Sequence, residues 1–250
     1  VSHRRAGTTA APAIRTLSVP SAAVHPGPTY VLLHGVGLSH RSFTRLARIL
    51  SLSGRVVSFD LPGFGPTPKP DRPWSVEDYA AVVRAELARL QTGPAVVVGH
   101  SMGAQFAIEL ARHDPDAVSH LVLVGPVVNA AKRTLREQTV GLLRDSALEP
   151  PDTQAMVAID YLRCGMPWFL TEAAAMRDYP TESAIAGVRH PVLVVRGEND
   201  PIADADWCAS LARRAPDGRV ATIPGSRHNV VHSNAAAVAD AIRAFVVTPR

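Results

Sequence analysis

The sequence predicts an α/β fold: a mostly parallel central sheet with helices on both faces and a small helical cap inserted before the penultimate strand. Three observations carry this expectation. Short runs of Val, Leu and Ile, apolar at successive positions, recur along the chain; segments of helical periodicity separate them; and one interval of about sixty residues breaks the alternation. Strands that are apolar on both faces need covering on both faces, which is the condition of a parallel sheet built from βαβ units.

In chain order, Ala13–Val19 resembles a strand and Tyr30–Leu33 is the first clear one. Ser42–Leu50 follows with Phe43, Leu46, Ala47 and Leu50 at helical spacing, then the strand Val56–Phe59. The Pro-rich stretch Pro62 to Pro73 is a surface loop leading into the helix Val76–Leu90. The strand Ala95–Val98 feeds the helix Met102–Arg112, and Leu121–Val124 is the next strand. After the long interval come the strand Val192–Val195, the helix Asp204–Arg214, a weaker strand at Arg219–Ile223 and the helix Ala235–Phe245. The interval is itself helix-like, with AAKRTLREQTVGLLRD before the Pro150-Pro151 break and TQAMVAIDYLRCGMPWFLTEAAAMRDY after it. Residues 1–126 and 190–250 are therefore expected to form the core, and 127–189 a helical cap (lid).

With 250 residues, 46% hydrophobic and 19% charged, the chain can bury a sizeable core as one large globular domain or a domain with an insertion, and general disorder is not expected. The net charge of +4 comes from scattered positive residues, nearly all arginine, with lysine only at Lys69 and Lys132. No basic run interleaves with aromatics, so a nucleic-acid partner is not expected. The two cysteines, Cys164 and Cys208, lack the spacing of a metal site or redox pair and read as buried free thiols. No apolar run approaches the roughly 18 residues that a membrane span needs, and the first residues lack the apolar core of a secretory signal. The expectation is a cytoplasmic monomer or homodimer with a small-molecule substrate and no membrane partner, the presence of a segment upstream of Val1 being left open.

The stretch VVVGHSMGAQFA, Val96 to Ala107, holds the most specific signal. A run of β-branched residues ends in Ser101, with Gly99 two positions before and Gly103 two positions after. A plain strand-to-helix connection needs one glycine at most. Two flanking glycines imply a sharp turn in which strand and helix approach closely, while the serine hydroxyl projects above the sheet from a strained backbone position. The helix that follows turns its unpaired N–H groups toward that serine, so the N–H of Met102 can stabilise negative charge on a carbonyl oxygen. N-capping alone would require neither glycine.

Further motifs stand at the other strand ends: His34-Gly35-Val36-Gly37, Asp60-Leu61-Pro62-Gly63-Phe64-Gly65, Gly197-Glu198-Asn199-Asp200-Pro201 and Gly225-Ser226-Arg227-His228. With Gly99-His100-Ser101-Met102-Gly103, they make the chain from Tyr30 to Val246 resemble the α/β-hydrolase family, in its serine-nucleophile branch. The resemblance implies a nucleophile, acid and base in the order Ser101, Asp200 and His228. It also implies an oxyanion hole formed by the N–H groups of Val36 and Met102, with Gly37 as the alternative to Val36. A serine hydroxyl is a weak nucleophile at neutral pH and needs a base within reach and a carboxylate to orient that base. Asn-Asp-Pro is also an ordinary turn, and Asp204 or Asp206 can cap the next helix. His228 competes with His232, His34, His100 and His190, but it alone holds the family's position. His34 and Asp60 read as structural, and the residues after His228 depart from a common family pattern at Ser233 and Ala235.

Serine at position 101 sets the chain apart from epoxide hydrolases and haloalkane dehalogenases, which carry aspartate there. The resemblance thus implies hydrolysis of a carboxylic ester, thioester or lactone of a small, largely apolar substrate through an acyl-enzyme, with no metal and no cofactor. Carbon–carbon bond hydrolases and cofactor-free perhydrolases share these motifs, and a non-enzymatic ligand receptor on the same fold is the reading from another class. Substrate choice is expected to reside in the insertion. It holds Met156, Met166 and Met176 together with Tyr161, Trp168, Phe169 and Tyr179, and Met166, Trp168 and Phe169 are the expected pocket residues. A helical lid buries an apolar face whatever it binds, so each of them also fits plain packing.

Overall fold

Along the central strands, successive side chains point to opposite faces of the sheet, and both faces are buried. Val31, Leu33, Val57, Phe59, Val97, Leu121, Leu123, Val192 and Val194 belong to one apolar cluster. Their neighbours Tyr30, Leu32, Val56, Val96, Val98, Val122, Val124, Leu193 and Val195 belong to the other. This double burial is what a near-continuous apolar strand demands. The computed structural model describes residues 14–23, 27–129, 141–142 and 144–247.

Seven strands form one sheet in the order β1-β3-β2-β4-β5-β6-β7. They are β1 (Arg15–Val19), β2 (Thr29–Leu33), β3 (Arg55–Asp60), β4 (Ala95–His100), β5 (Val118–Val124), β6 (Pro191–Gly197) and β7 (Asp217–Ile223). β1 pairs antiparallel with β3 and every other pairing is parallel. Each strand lies where the sequence predicts one. The edge strand β7 was the faintest because it is buried on neither face as fully as the centre: Val220 is 42% exposed.

Helices α1 (Thr44–Leu50), α2 (Val76–Leu90), α3 (Met102–His113), α7 (Ala205–Arg214) and α9 (Ala235–Val247) cover the sheet, α2, α3 and α7 on one face and α1 and α9 on the other. Ser75 caps α2 through a capping box with Asp78, and Asp204 caps α7 through the N–H of Trp207. Between β5 and β6 lie α4 (Pro151–Cys164), α5 (Met166–Asp178) and α6 (Thr181–Ala184). The run after Pro150 is thus split at Gly165, whose φ of +75° suits glycine and turns the chain between two helices. The preceding expected helix, 130–145, falls largely outside the described residues.

The insertion is tied to the core at several places. Ser39 donates to Asp160 at 2.6 Å, and Arg41 pairs with the same buried carboxylate. Thr153 bonds the His232 ring at 2.9 Å, and Tyr179 donates to Glu109 at 2.6 Å. Gln105 donates to the carbonyls of Val127 and Met176. Cys164 and Cys208 are buried and unpaired, and burial pushes their thiols up to about 11 and about 12. Among the described residues, no helix is long and apolar enough to cross a membrane.

The order β3-β2-β4 decides where a site can form. From β2 the chain steps to one side, to β3, and then returns across to β4 on the other. Loops leaving the carboxyl ends of β2 and β4 therefore diverge and leave a crevice between them, the usual place for a ligand in an open α/β sheet. Gly35 and Ser101 stand at these two strand ends.

Candidate active site

Ser101 occupies φ +56° and ψ −120°, a conformation that disfavours any side chain. The cost is tolerated because the surroundings admit no other path. A Cβ on Gly99 would lie 2.2 Å from the Gly103 carbonyl oxygen, and one on Gly103 would lie 2.1 Å from the Leu33 carbonyl oxygen. The two glycines let β4, α3 and the end of β2 touch backbone to backbone, and the serine is what remains at the apex. Gly35 passes so close beside it that an added Cβ would meet the Ser101 Cβ at 2.9 Å.

The loops after β6 and β7 bring the other polar groups over this apex. The Nε2 of His228 is 3.1 Å from the Ser101 hydroxyl, and Nδ1 is 2.9 Å from Oδ2 of Asp200. Because a carboxylate only accepts, Nδ1 carries the proton, leaving the Nε2 lone pair to accept from the serine. The other oxygen of Asp200 accepts the N–H groups of Ile202 at 2.8 Å and Ala203 at 3.0 Å, which fixes the carboxylate from behind. Burial pushes Asp200 up, but the His228 charge and these hydrogen bonds outweigh it and hold it below the usual carboxylate range. Burial likewise lowers His228, whereas the Asp200 charge and hydrogen bond, with Asp145 and Glu149 behind them, win and raise it. A base oriented by a carboxylate beside a strained serine can take that serine's proton as the oxygen attacks an electrophilic carbon.

The N–H groups of Val36 and Met102 make no hydrogen bond to the described protein, although both residues are buried. Two N–H groups without a partner among the described residues, in the turns after β2 and β4, are of the kind that can hold an oxyanion. His34 sets the geometry of that turn. The Leu61 N–H donates to its Nε2 at 3.2 Å, so its Nδ1 carries the proton and donates to the Gly35 carbonyl at 2.9 Å. Burial lowers the His34 pKa, in keeping with the neutral ring this tautomer needs. Asp60 is buried and accepts the His40 N–H at 2.9 Å and its ring at 2.8 Å, so it ties the turn after β2 to the end of β3. His232 is occupied with Thr153, and His190 with the Pro115 carbonyl at 2.9 Å; neither lies at Ser101.

Of the three expected pocket residues, two face inward. Trp168 and Phe169 are 9% and 8% exposed. Met166 requires correction: it is 62% exposed at the first turn of α5, whose inward face is taken by Trp168, Phe169, Ala173 and Met176. The two inward residues also differ. Phe169 and Tyr161 meet with tilted rings at 5.1 Å between centroids and press on Gly37, where a Cβ would meet both rings within 2.9 Å. Trp168 presses on Gly63, whose φ is +86°.

Three groups at the site carry no signal in the sequence that marks their part: His100, Asp145 and Glu149. His100 competes with His228 for the base role only by residue type: its Nε2 donates to the His228 carbonyl at 2.9 Å, and burial followed by the neighbouring His228 lowers it to about 3, so it is neutral. Asp145 and Glu149 accept the N–H groups of His228 at 3.2 Å and Asn229 at 2.7 Å. No local signal in an insertion otherwise read for its apolar residues marks these carboxylates.

A parallel sheet with a switch-point crevice and a serine, histidine and carboxylate gathered over it defines a hydrolase-type α/β enzyme. The chain belongs to the alpha/beta hydrolase family, whose model matches residues 30–241. It is similar to a pimeloyl-[acyl-carrier protein] methyl ester esterase of Aromatoleum aromaticum, 32% identical over 80% of this chain and 91% of that protein. A 2-(acetamidomethylene)succinate hydrolase of Mesorhizobium japonicum is 25% identical over 82% of each. The fold is also that of an enol-lactonase from Burkholderia xenovorans, with a TM-score of 0.80, 18% identity and coverage of 94% of this chain and 96% of that one.

Proposed function

We propose that the protein hydrolyses a carboxylic ester, thioester or lactone of a small, largely apolar substrate through an acyl-enzyme on Ser101. The observation that carries this reading is the hydrogen-bonded series Ser101 Oγ, His228 Nε2, His228 Nδ1 and Asp200 Oδ2, at 3.1 and 2.9 Å, built on a serine held at φ +56°. Ser101 Oγ attacks the carbonyl carbon while His228 takes its proton, and the N–H groups of Val36 and Met102 hold the oxyanion. Collapse of the intermediate expels the alcohol, thiol or lactone hydroxyl, which receives the proton from His228. Water then attacks the acyl-enzyme with His228 as base, returning the acid and free Ser101. The methyl ester esterase and enol-lactonase among the similar proteins support the substrate class.

A panel of p-nitrophenyl esters, acyl thioesters and lactones tests this reading, and turnover of none of them would overturn it. The pH dependence is a separate check. His228 must be neutral to accept the serine proton, and its neighbours raise its pKa. Activity therefore falls as pH drops through that value, with a single-proton acid limb centred above the ordinary imidazole value of about 6.5. A flat kcat/KM profile from pH 5 to 8, with chemistry rate-limiting, would remove His228 as the base.

In the same reading, residues 127–189 act as a cap whose inner face selects the acyl group. Phe169 is the better-placed selector, since it touches Gly37, next to the proposed oxyanion donor Val36. Phe169→Ala is expected to change the ratio of kcat/KM for long over short acyl esters by about tenfold, the scale of a few methylenes gained or lost in an apolar pocket. Trp168→Ala, at Gly63, should change that ratio less. Equal loss on both esters in Phe169→Ala would make that residue lid packing.

A further inference from the structure

All the polar groups of His228 are engaged, and they are engaged from three directions. The ring is held by Asp200 and faces Ser101, both on the core. The carbonyl accepts from His100, at the end of β4. The N–H is taken by Asp145, and the next N–H, of Asn229, by Glu149, both from the insertion. Arg227, just before the histidine, also reaches Asp145 at 3.5 Å.

These carboxylates are unusual choices for an anchor. Asp145 is 0% and Glu149 3% exposed, and burial pushes both pKa values up. Removing carboxyl groups from water costs free energy that simple packing would avoid. Here the acceptors meet two consecutive N–H groups that precede the short helix α8 (Val230–Ser233), where the N-cap residue Asn229 offers no side-chain cap of its own. The capping of the histidine loop is supplied by the insertion.

We propose that Asp145 and Glu149 are positioning residues for His228. The insertion holds the two peptide N–H groups from one side while His100 holds the intervening carbonyl from the other, so the imidazole is aimed at Ser101 only while the insertion is seated. This rests on the reading of His228 as the base. The charged and titratable groups facing the ring are Asp200, Asp145, Glu149 and His100, with Arg227 beside it in the chain. A displacement of about 1 Å at a reacting group can cost on the order of 10²-fold in rate, so a loosened loop is read in kcat.

The test uses p-nitrophenyl butyrate and a fluorophosphonate probe on the whole protein. Asp145→Ala is expected to lower kcat at least tenfold with KM changed less than about twofold, and to slow labelling of Ser101 in proportion. Asp145→Asn, which keeps an accepting carbonyl, should restore most of the rate. Glu149→Ala, acting one peptide further from the ring, should lose less, and it serves if Asp145→Ala does not fold. Thr153→Val is the control, because it removes an insertion-to-core hydrogen bond at His232 without touching the His228 backbone. If Asp145→Ala and Glu149→Ala behave like Thr153→Val, with kcat and labelling at the parent level, the two carboxylates merely anchor the insertion and the proposal is overturned. If the parent is not labelled at Ser101 at all, the failure belongs to the proposed function instead.

Discussion

Replacing Ser101 with alanine is expected to reduce hydrolysis by roughly 10⁴-fold or more, the scale seen when a nucleophile acting as a unit with its base is deleted. The protein should still fold. The serine hydroxyl's interaction with the described protein is the bond to His228, and alanine relieves nothing that holds β4 against α3, since that contact is made by Gly99 and Gly103. Alanine at φ +56° remains strained much as serine is, so thermal stability should change little. Both quantities need measuring on the same preparation: kcat/KM on an ester turned over by the parent, and the melting temperature. A fluorophosphonate should label the parent at Ser101 and leave the variant untouched. Hydrolysis by the alanine variant at the parent rate, or labelling at another serine, would sink the proposed mechanism.

Gly103→Ala is expected to do the reverse and destroy the fold. Helix propensity alone argues for a gain, because alanine is better than glycine in a helix by up to about 1 kcal/mol, less in the first turn where Gly103 stands. The tertiary contact argues otherwise. The new Cβ would stand 2.1 Å from the Leu33 carbonyl oxygen and 2.8 Å from that of His34, and both atoms belong to backbone at the end of a central strand that cannot yield as a side chain would. Separating α3 from β2 would open the buried centre of the sheet and displace the Val36 turn. Overpacking typically costs about 1–3 kcal/mol, and a clash with backbone that cannot yield puts this substitution at or above about 3 kcal/mol. Urea denaturation of the variant would show a sharply lowered midpoint, or the protein would fail to accumulate in folded form. A variant at least as stable as the parent would mean that α3 and β2 do not meet as described.

The elements were legible because their signals are local. A strand buried on both faces must be apolar at every position, as Val96, Val97 and Val98 are, and an amphipathic helix must repeat its apolar residues, as Val76, Tyr79, Ala80, Val83 and Leu87 do. Ser101 was legible for the same reason: the glycines that make its turn possible lie two residues to either side. Asp200 and His228 were readable only through motifs at strand ends, since nothing near either one records that their side chains, 28 positions apart in the chain, meet at 2.9 Å. Met166 shows the limit in the insertion. Met166, Trp168 and Phe169 are equally apolar neighbours, and only the rotation of α5 against the core decides that the first faces solvent.

The sequence by itself determined that this chain folds as an α/β sheet and that Ser101 sits on a strained turn, because hydrophobic period and glycine spacing act over a few residues and leave the backbone little choice. The tertiary structure alone decided how closely His228 approaches that serine, which aromatics press on the Gly37 and Gly63 turns, and that His100, Asp145 and Glu149 close around the His228 backbone. Those outcomes depend on packing between segments up to 132 residues apart, the separation of Gly37 and Phe169. A buried carboxylate and an exposed one are the same letter in a sequence, and their difference is made when the insertion docks and takes Asp145 out of water.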